Sequence, residues 1–247
     1  MNIRFIFTFA WYYGVKIFSR GPSYVIASLT TPLSLLFIVY VLTQGKLVEF
    51  AVVGGMISLI GSIGLQSAGD ATFMKLQLRV QEMYVASAVT PIDYMLALTM
   101  SFLTFSIPGI VVYTVLGTIF GLYNTVTALS MVFLIVMLTL STSAIAFIIS
   151  GLVKHVRNVW GIVGILSIIM TVIPPTFYPY TDLQNFSTSL IYILSISPVT
   201  PAAISAQIIF GLGPWNMAIL TYSLLTLVAE TVIYFAIAKY LIRWREN

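Results

Sequence analysis

The 247-residue chain lacks cysteine altogether and has a single histidine, His155. Disulfides, thiolate metal sites and cysteine nucleophiles are therefore excluded, and so is any site that needs several histidines. Charge is also scarce, since 7% of the residues are Asp, Glu, Lys or Arg while 60% are hydrophobic. Seven acids and eleven bases cannot cover a soluble domain of this length with polar groups. The composition predicts an integral membrane protein and argues against an enzyme.

The sequence contains no signal for nucleic-acid binding or for ATP binding. The net charge of +4 comes from basic residues scattered between apolar runs, which does not predict a surface for nucleic acid. The only Gly-Lys pair, Gly45-Lys46, is followed by Leu47, so the chain has no Gly-x-x-x-x-Gly-Lys-Ser/Thr loop to hold the phosphates of ATP. No cofactor is therefore expected in this chain. A cleavable signal peptide is not expected either, because the first apolar stretch has large aromatic side chains where a cleavage site needs small ones.

Uncharged runs of about 20 residues, the length that crosses a bilayer, recur along the chain. They predict an all-α polytopic protein with six transmembrane helices in a single domain, residues 1–247; the spans are expected at about 24–42, 50–69, 94–119, 127–152, 159–173 and 215–238. Ahead of the first span, a polar row recurs every fourth residue within a short aromatic segment: Arg4, Thr8, Tyr12, Lys16 and Arg20. This row predicts an amphipathic helix over residues 1–20 that lies in the headgroup plane.

Residues 176–214, before the last span, allow two interpretations. Two short apolar pieces, at about 189–197 and 202–212, form either one further crossing or a hairpin that dips in and returns. Six spans place ten of the eleven Lys and Arg residues on one side and leave only Lys46 opposite, whereas seven spans divide them seven to four. Basic residues are retained on the cytoplasmic side, so we predict six spans, both termini in the cytoplasm and an outer hairpin that is re-entrant or interfacial.

Residues 70–93, between the second and third spans, form the longest charged segment outside the predicted membrane. Apolar residues follow helical spacing there (Phe73, Leu76, Val80, Met83), while Lys75, Arg79 and Glu82 share another face. The pattern predicts an amphipathic helix over about residues 73–90. The sequence Thr90-Pro91-Ile92-Asp93 then has the signature of a new helix that begins at Pro91, because threonine caps a free N–H and proline has none.

Polar residues inside the predicted spans are few. Gly54, Ser58, Ser62, Gln66 and Asp70 recur every fourth residue along span two. Small residues allow close helix packing, which we favour for this stripe, while a polar translocation path lined by Ser58, Ser62 and Gln66 is the alternative. Glu230 lies within the last span. An intramembrane acid marks a functional site by default, which makes Glu230 a candidate for the same translocation path, and a partner for a neighbouring base is the equal alternative.

The order of these elements resembles the membrane subunit of type-2 ATP-binding cassette exporters, a permease family of drug, lipid and polysaccharide exporters. The resemblance covers nearly the whole chain. Its best local matches are the segment from Arg79 to Tyr94, where a charged helix leads to a small-residue and proline motif, and Ser197-Pro198-Val199-Thr200-Pro201-Ala202-Ala203 in the outer hairpin. The acidic, Gly-Thr-containing form of the charged segment is missing, and Ala97 stands where many members have glycine.

This resemblance implies an exporter in the plasma membrane that is driven by separate ATPase subunits, with ATP and Mg²⁺ bound on those subunits. Residues 73–90 would be a coupling helix in a cleft of the ATPase, and two permeases would pair as a homodimer or heterodimer. The anchors expected in that cleft are Lys75, Arg79, Glu82, Met83 and Tyr84. An amphipathic or apolar substrate is expected. The alternatives are a polysaccharide or glycolipid exporter of the same family, and a secondary transporter or channel that needs no ATP.

Overall fold

The computed structural model describes residues 2–16, 22–79, 83–84, 86–87 and 89–241, except the side chains at 22, 24, 25, 27, 28, 31, 32 and 188. In these ranges the regular structure is helical with no strand, which confirms the predicted all-α class. The helices are α1 (Ile3–Phe9, continued by the π-helical turns Ala10–Val15), α2 (Pro22–Leu42), α3 (Val48–Leu76), α4 (Pro91–Ile119), α5 (Thr125–Leu152), α6 (Val156–Thr171), α7 (Tyr180–Phe186), α8 (Thr188–Leu194), α9 (Val199–Ile209) and α10 (Met217–Leu241).

Four of these helices, α3, α4, α5 and α10, are long and apolar enough to cross a membrane. They coincide with the predicted second, third, fourth and sixth spans, so the chain is a helical membrane protein. Helix α2 has 21 residues and covers the predicted first span. Helix α6 has only 16 residues, about 24 Å of helix, which is shorter than a hydrocarbon core of about 30 Å.

Helix α3 is the centre of the bundle, since its neighbours are α2, α4, α5, α6 and α9. Small residues on its surface let these neighbours approach closely. A Cβ atom at Gly55 would lie 2.5 Å from the Tyr113 ring of α4, and one at Gly64 would lie 1.9 Å from Thr142 Oγ1 of α5. Gly55 and Gly64 therefore serve helix packing, although neither belongs to the stripe that the sequence predicted.

The contacts between helices also give their relative directions. Helices α5 and α10 run in the same direction, because Ser141 meets Thr231 through their hydroxyl groups and the Gly151 Cα faces the carbonyl of Leu241. Helix α4 runs opposite to α3, since the Tyr94 hydroxyl at its beginning reaches the sulfur of Met74 near the end of α3. We call the end of the bundle with Leu76, Pro91, Leu152 and Leu241 the inner end, and the end with Val48, Ile119, Thr125 and Met217 the outer end.

The predicted hairpin consists of α8 and α9, joined by residues 195–198. Its turn lies partway along the bundle, since Ser197 Oγ donates to the Met170 carbonyl (3.0 Å) and the Tyr234 hydroxyl donates to the Ile196 carbonyl (2.6 Å). Helix α9 then returns to the outer end, where the Phe210 ring contacts the Tyr123 ring at 5.6 Å. The hairpin therefore packs against the long helices, and its re-entrant placement in a membrane stays a prediction.

The N-terminal helix packs lengthwise against α4. Asn2 meets Asp93 at the beginning of α4, and a Cβ atom at Gly14 would lie 3.2 Å from the Ser101 carbonyl oxygen about two turns further along. The buried residues of this segment, Ile6, Ala10 and Gly14, face the bundle. Aromatic contacts of Phe9 with Tyr94 and of Tyr13 with Phe105 accompany this lengthwise packing. The placement of the segment in the headgroup plane stays a prediction.

Candidate functional site

The predicted coupling segment lies at the inner end, but it is not one continuous helix. Helix α3 continues through Leu76, and the N–H groups of Gln77 and Leu78 both donate to the Phe73 carbonyl where it ends. Arg79 then has the left-handed backbone angle φ = 50°. The helix predicted over 73–90 is therefore wrong at residues 77–79, and 80–82, 85 and 88 lie outside the described residues. No glycine or proline marks this break in the sequence, which is why spacing alone continued the helix.

The predicted beginning of the next helix is confirmed at Pro91. Asp93 N–H donates to the Thr90 hydroxyl (3.2 Å), and Thr90 donates back to the Asp93 carboxylate through its N–H (3.2 Å) and its hydroxyl (2.8 Å). This is a capping box with proline in the first turn. Asp93 also accepts the main-chain N–H of Asn2 at 2.8 Å, so one buried carboxylate fixes both the start of α4 and the N-terminal helix.

Tyr84 packs the segment between α3 and α4 against the N-terminal helix. Its ring lies 5.1 Å from Phe5, 6.2 Å from Phe9 and 5.9 Å from Tyr94, measured between ring centroids. Burial raises the pKa of the Tyr84 phenol, so the group stays a neutral hydroxyl near pH 7. Tyr84 was predicted to contact a partner, and the structure shows its ring packed inward against α1 and α4.

Other side chains of this segment face outward. Arg79 is exposed, Lys75 is half-buried, and Met83 is 70% exposed. Large apolar groups accompany them, because Leu78 is 53% exposed and Phe73 and Leu76 are also exposed. We call Phe73, Leu76, Leu78, Arg79 and Met83 the inner-end surface. Leu78 escaped the sequence analysis because it lies off the predicted helical face, and the predicted anchor Glu82 lies outside the described residues.

The predicted polar path on α3 is divided in two. Ser58 is buried, and a Cβ atom at Gly54 would lie 1.4 Å from the Thr176 carbonyl oxygen, so the outer half of the stripe is covered by the chain that follows α6. Ser62 is half-buried and donates to the Ser58 carbonyl (2.7 Å), while Gln66 is exposed. The inner half of the stripe is therefore the part that lies open.

Glu230 lies apart from this stripe, on α10, which packs against α5 and α9. It is 8% exposed, and its Oε2 has no hydrogen-bond partner within the part of the chain that the structure describes. Its neighbours in sequence are engaged: Thr231 with Ser141 of α5, and Tyr234 with the hairpin turn at Ile196. Stripe and acid were predicted as one path, and the structure does not bring them together.

Gln207 on α9 is a residue that the sequence analysis missed. Its side-chain NH₂ donates to the carbonyls of Pro175 and Tyr178, and its side-chain oxygen accepts the N–H of Tyr180 at 2.8 Å. One buried amide thus holds the segment that leads from α6 into α7. An uncharged polar residue in a short apolar helix was the only signal for it.

No family model, no characterised protein and no solved structure matches this chain. Among the described residues, no group of three or more His, Cys, Asp and Glu side chains could hold a metal ion. The inner-end surface, the open half of the α3 stripe and the buried Glu230 are therefore the features on which a function can be argued.

Proposed function

We propose that this chain is the permease subunit of an ATP-binding cassette exporter and that separate ATPase subunits dock on the inner-end surface. The observation that carries the proposal is a group of exposed apolar side chains at the inner end of the bundle. Helix α3 has 29 residues, about 43 Å of helix, whereas the hydrocarbon core is about 30 Å thick. This excess length supports an inner end outside the hydrocarbon core, where exposed Leu78 and Met83 side chains favour a protein partner.

The way this surface is attached suits the transmission of force. It joins α3, the central helix of the bundle, to α4, whose first turn is fixed by Asp93. Tyr84 and Asp93 also tie it to the N-terminal helix. A push on the inner-end surface would reach three elements at once, which is what a permease needs from a segment driven by ATP hydrolysis in another subunit.

The proposed topology has six spans, with both termini in the cytoplasm and the chain in the plasma membrane. The common direction of α5 and α10 supports it, because an odd number of crossings must then separate these two helices. Helix α6 supplies one crossing, and the chain returns to the outer end through residues 172–216 without a full second span. The distribution of basic residues supports the same topology.

The cargo that we propose is amphipathic or apolar, and it moves along a path between two permease copies. Ser62 and Gln66 leave the middle of α3 open toward such a second copy, whether identical or homologous. The scarcity of charged residues in the spans supports this cargo. A polysaccharide is the alternative, for which Phe186, 85% exposed, would be an aromatic contact at the outer loop.

A photo-crosslinking amino acid at Met83 tests the docking proposal in native membranes. We expect a covalent adduct with an ATP-binding cassette ATPase, identified by mass spectrometry, and none from the same group placed at Lys46 in the outer turn. A secondary transporter or channel predicts no such adduct from either position. Failure of Met83 to crosslink an ATPase, in membranes where the chain is folded, would remove the docking surface.

A further inference from the structure

Glu230 combines burial with a position at the edge of the hairpin. Between Glu230 and the outer end of the bundle, α8 covers α10, and the ring centroids of Tyr192 and Tyr222 lie 5.3 Å apart there. This cover ends at the turn, where Tyr234, one helical turn beyond Glu230, binds the Ile196 carbonyl. The carboxyl group therefore lies at the level where the re-entrant hairpin stops covering α10.

Toward the inner end, the same side of α10 is bare. Ile233 and Ile237 lie three and seven residues after Glu230, which places all three on one face of the helix. Both isoleucines are exposed. A buried carboxylate is thus continuous with an apolar strip that a molecule can reach from within the membrane.

No counter-charge is at hand for this carboxylate. Helices α5 and α9, which pack against α10, have no charged residue, and the nearest described base on α10 is Lys239, nine residues or about 13 Å away. A carboxylate in such a place gains strongly from a cation. Its Oε2 has no hydrogen-bond partner among the described residues, so this oxygen can accept a hydrogen bond from a bound molecule.

From these observations we propose that Glu230 binds the protonated amine of a cationic amphiphile whose apolar body lies along Ile233 and Ile237. This names the cargo class of the proposed exporter and rests on that proposed function. The amine supplies both the missing positive charge and donors for the free carboxylate oxygen. A molecule of this kind arrives laterally from the lipid, which the exposed strip allows.

Binding to the full chain in lipid nanodiscs, with empty nanodiscs subtracted, tests the proposal without any ATPase. The probes are dansylcadaverine, a fluorescent amphiphile with a primary amine, and its uncharged N-acetyl derivative. We expect Glu230→Gln to weaken binding of the amine at least about tenfold and to leave binding of the acetylated probe unchanged. Glu49→Gln, at an exposed acid in the first turn of α3, should change neither affinity.

A second measurement uses the unaltered chain and so does not depend on the folding of any variant. Dicyclohexylcarbodiimide modifies buried carboxyl groups, and we expect saturating dansylcadaverine, but not its acetylated form, to slow the modification of Glu230 about tenfold. Equal protection by both probes would overturn the proposal, and so would equal binding of the amine by wild type and Glu230→Gln. Either result would mean that the Glu230 carboxyl group binds a proton and no amine. Because neither assay contains an ATPase, failure here leaves the docking proposal to be judged by its own crosslink.

Discussion

At the scale of single residues, Gln207 organises the outer part of the fold. Its three hydrogen bonds run to the segment 175–180, which is far from it in sequence. The Tyr180 hydroxyl, which donates to the Pro214 carbonyl at 2.9 Å, extends this connection to the start of the last long helix. Hydrogen bonds of this kind are the alternative to water for main-chain groups that are buried without regular secondary structure.

We expect Gln207→Leu to destabilise the protein by about 2 to 4 kcal/mol, because it leaves the N–H of Tyr180 and two carbonyls buried without partners. Thermal unfolding in detergent should show a lower midpoint, and the Tyr180 amide should exchange its hydrogen faster. Gln184→Leu, a half-buried position on α7, is the matched control and should change little. An unchanged midpoint for Gln207→Leu would mean that its hydrogen bonds do not hold this segment.

The sequence predicted single-residue features correctly where the interacting residues are close together in the chain. Thr90, Pro91 and Asp93 lie within four positions, and their capping box was readable from spacing alone. The partners of Gln207 and Tyr84 could not be read in this way, because they are brought together only by the packing of distant segments. The exposure of Leu78 could not be predicted either, because it depends on where α3 ends. No neighbouring residue in the sequence indicates that end.

At the scale of elements, the path of the chain after α6 depends on its contact with α3. Residues 172–179 pass over Gly54, where the carbonyl of Thr176 occupies the space of a side chain. Length and apolar composition predicted the long helices well, since a span leaves a clear mark in the sequence. The position of the α8–α9 turn and the lengthwise packing of α1 could not be predicted from the sequence, because both depend on contacts with other helices.

Gly54→Ala should be disruptive, because its Cβ atom would lie 1.4 Å from a main-chain oxygen that cannot move alone. We expect a loss of about 1 to 3 kcal/mol in the free energy of unfolding, measured in detergent. Gly161→Ala on α6 is the control, since no atom lies within 4 Å of the position its Cβ would take. Equal stability of the two variants would contradict the close contact between α3 and the Thr176 segment.

At the scale of the whole molecule, the common direction of α5 and α10 makes a prediction about sidedness. The chain has no cysteine, so each introduced cysteine is a unique label. We expect a membrane-impermeant maleimide to label Lys46→Cys in intact cells, and to label Lys154→Cys and Lys239→Cys only after the membrane is opened. Labelling of Lys239→Cys in intact cells would require an even number of crossings between α5 and α10, with the two helices in opposite directions, and would contradict the proposed topology.

The account depends on an external ATPase that works through the inner-end surface. The most direct test is the rate of ATP hydrolysis by the chain purified with the proposed ATP-binding cassette ATPase and reconstituted in lipid. A charged group at an apolar contact opposes docking, so we predict that Leu78→Glu combined with Met83→Glu lowers complex formation and stimulated hydrolysis about tenfold or more. The same complex with Lys46→Glu in the outer turn should keep the wild-type rate. A double variant that binds the ATPase and hydrolyses ATP as the wild type does would contradict the account.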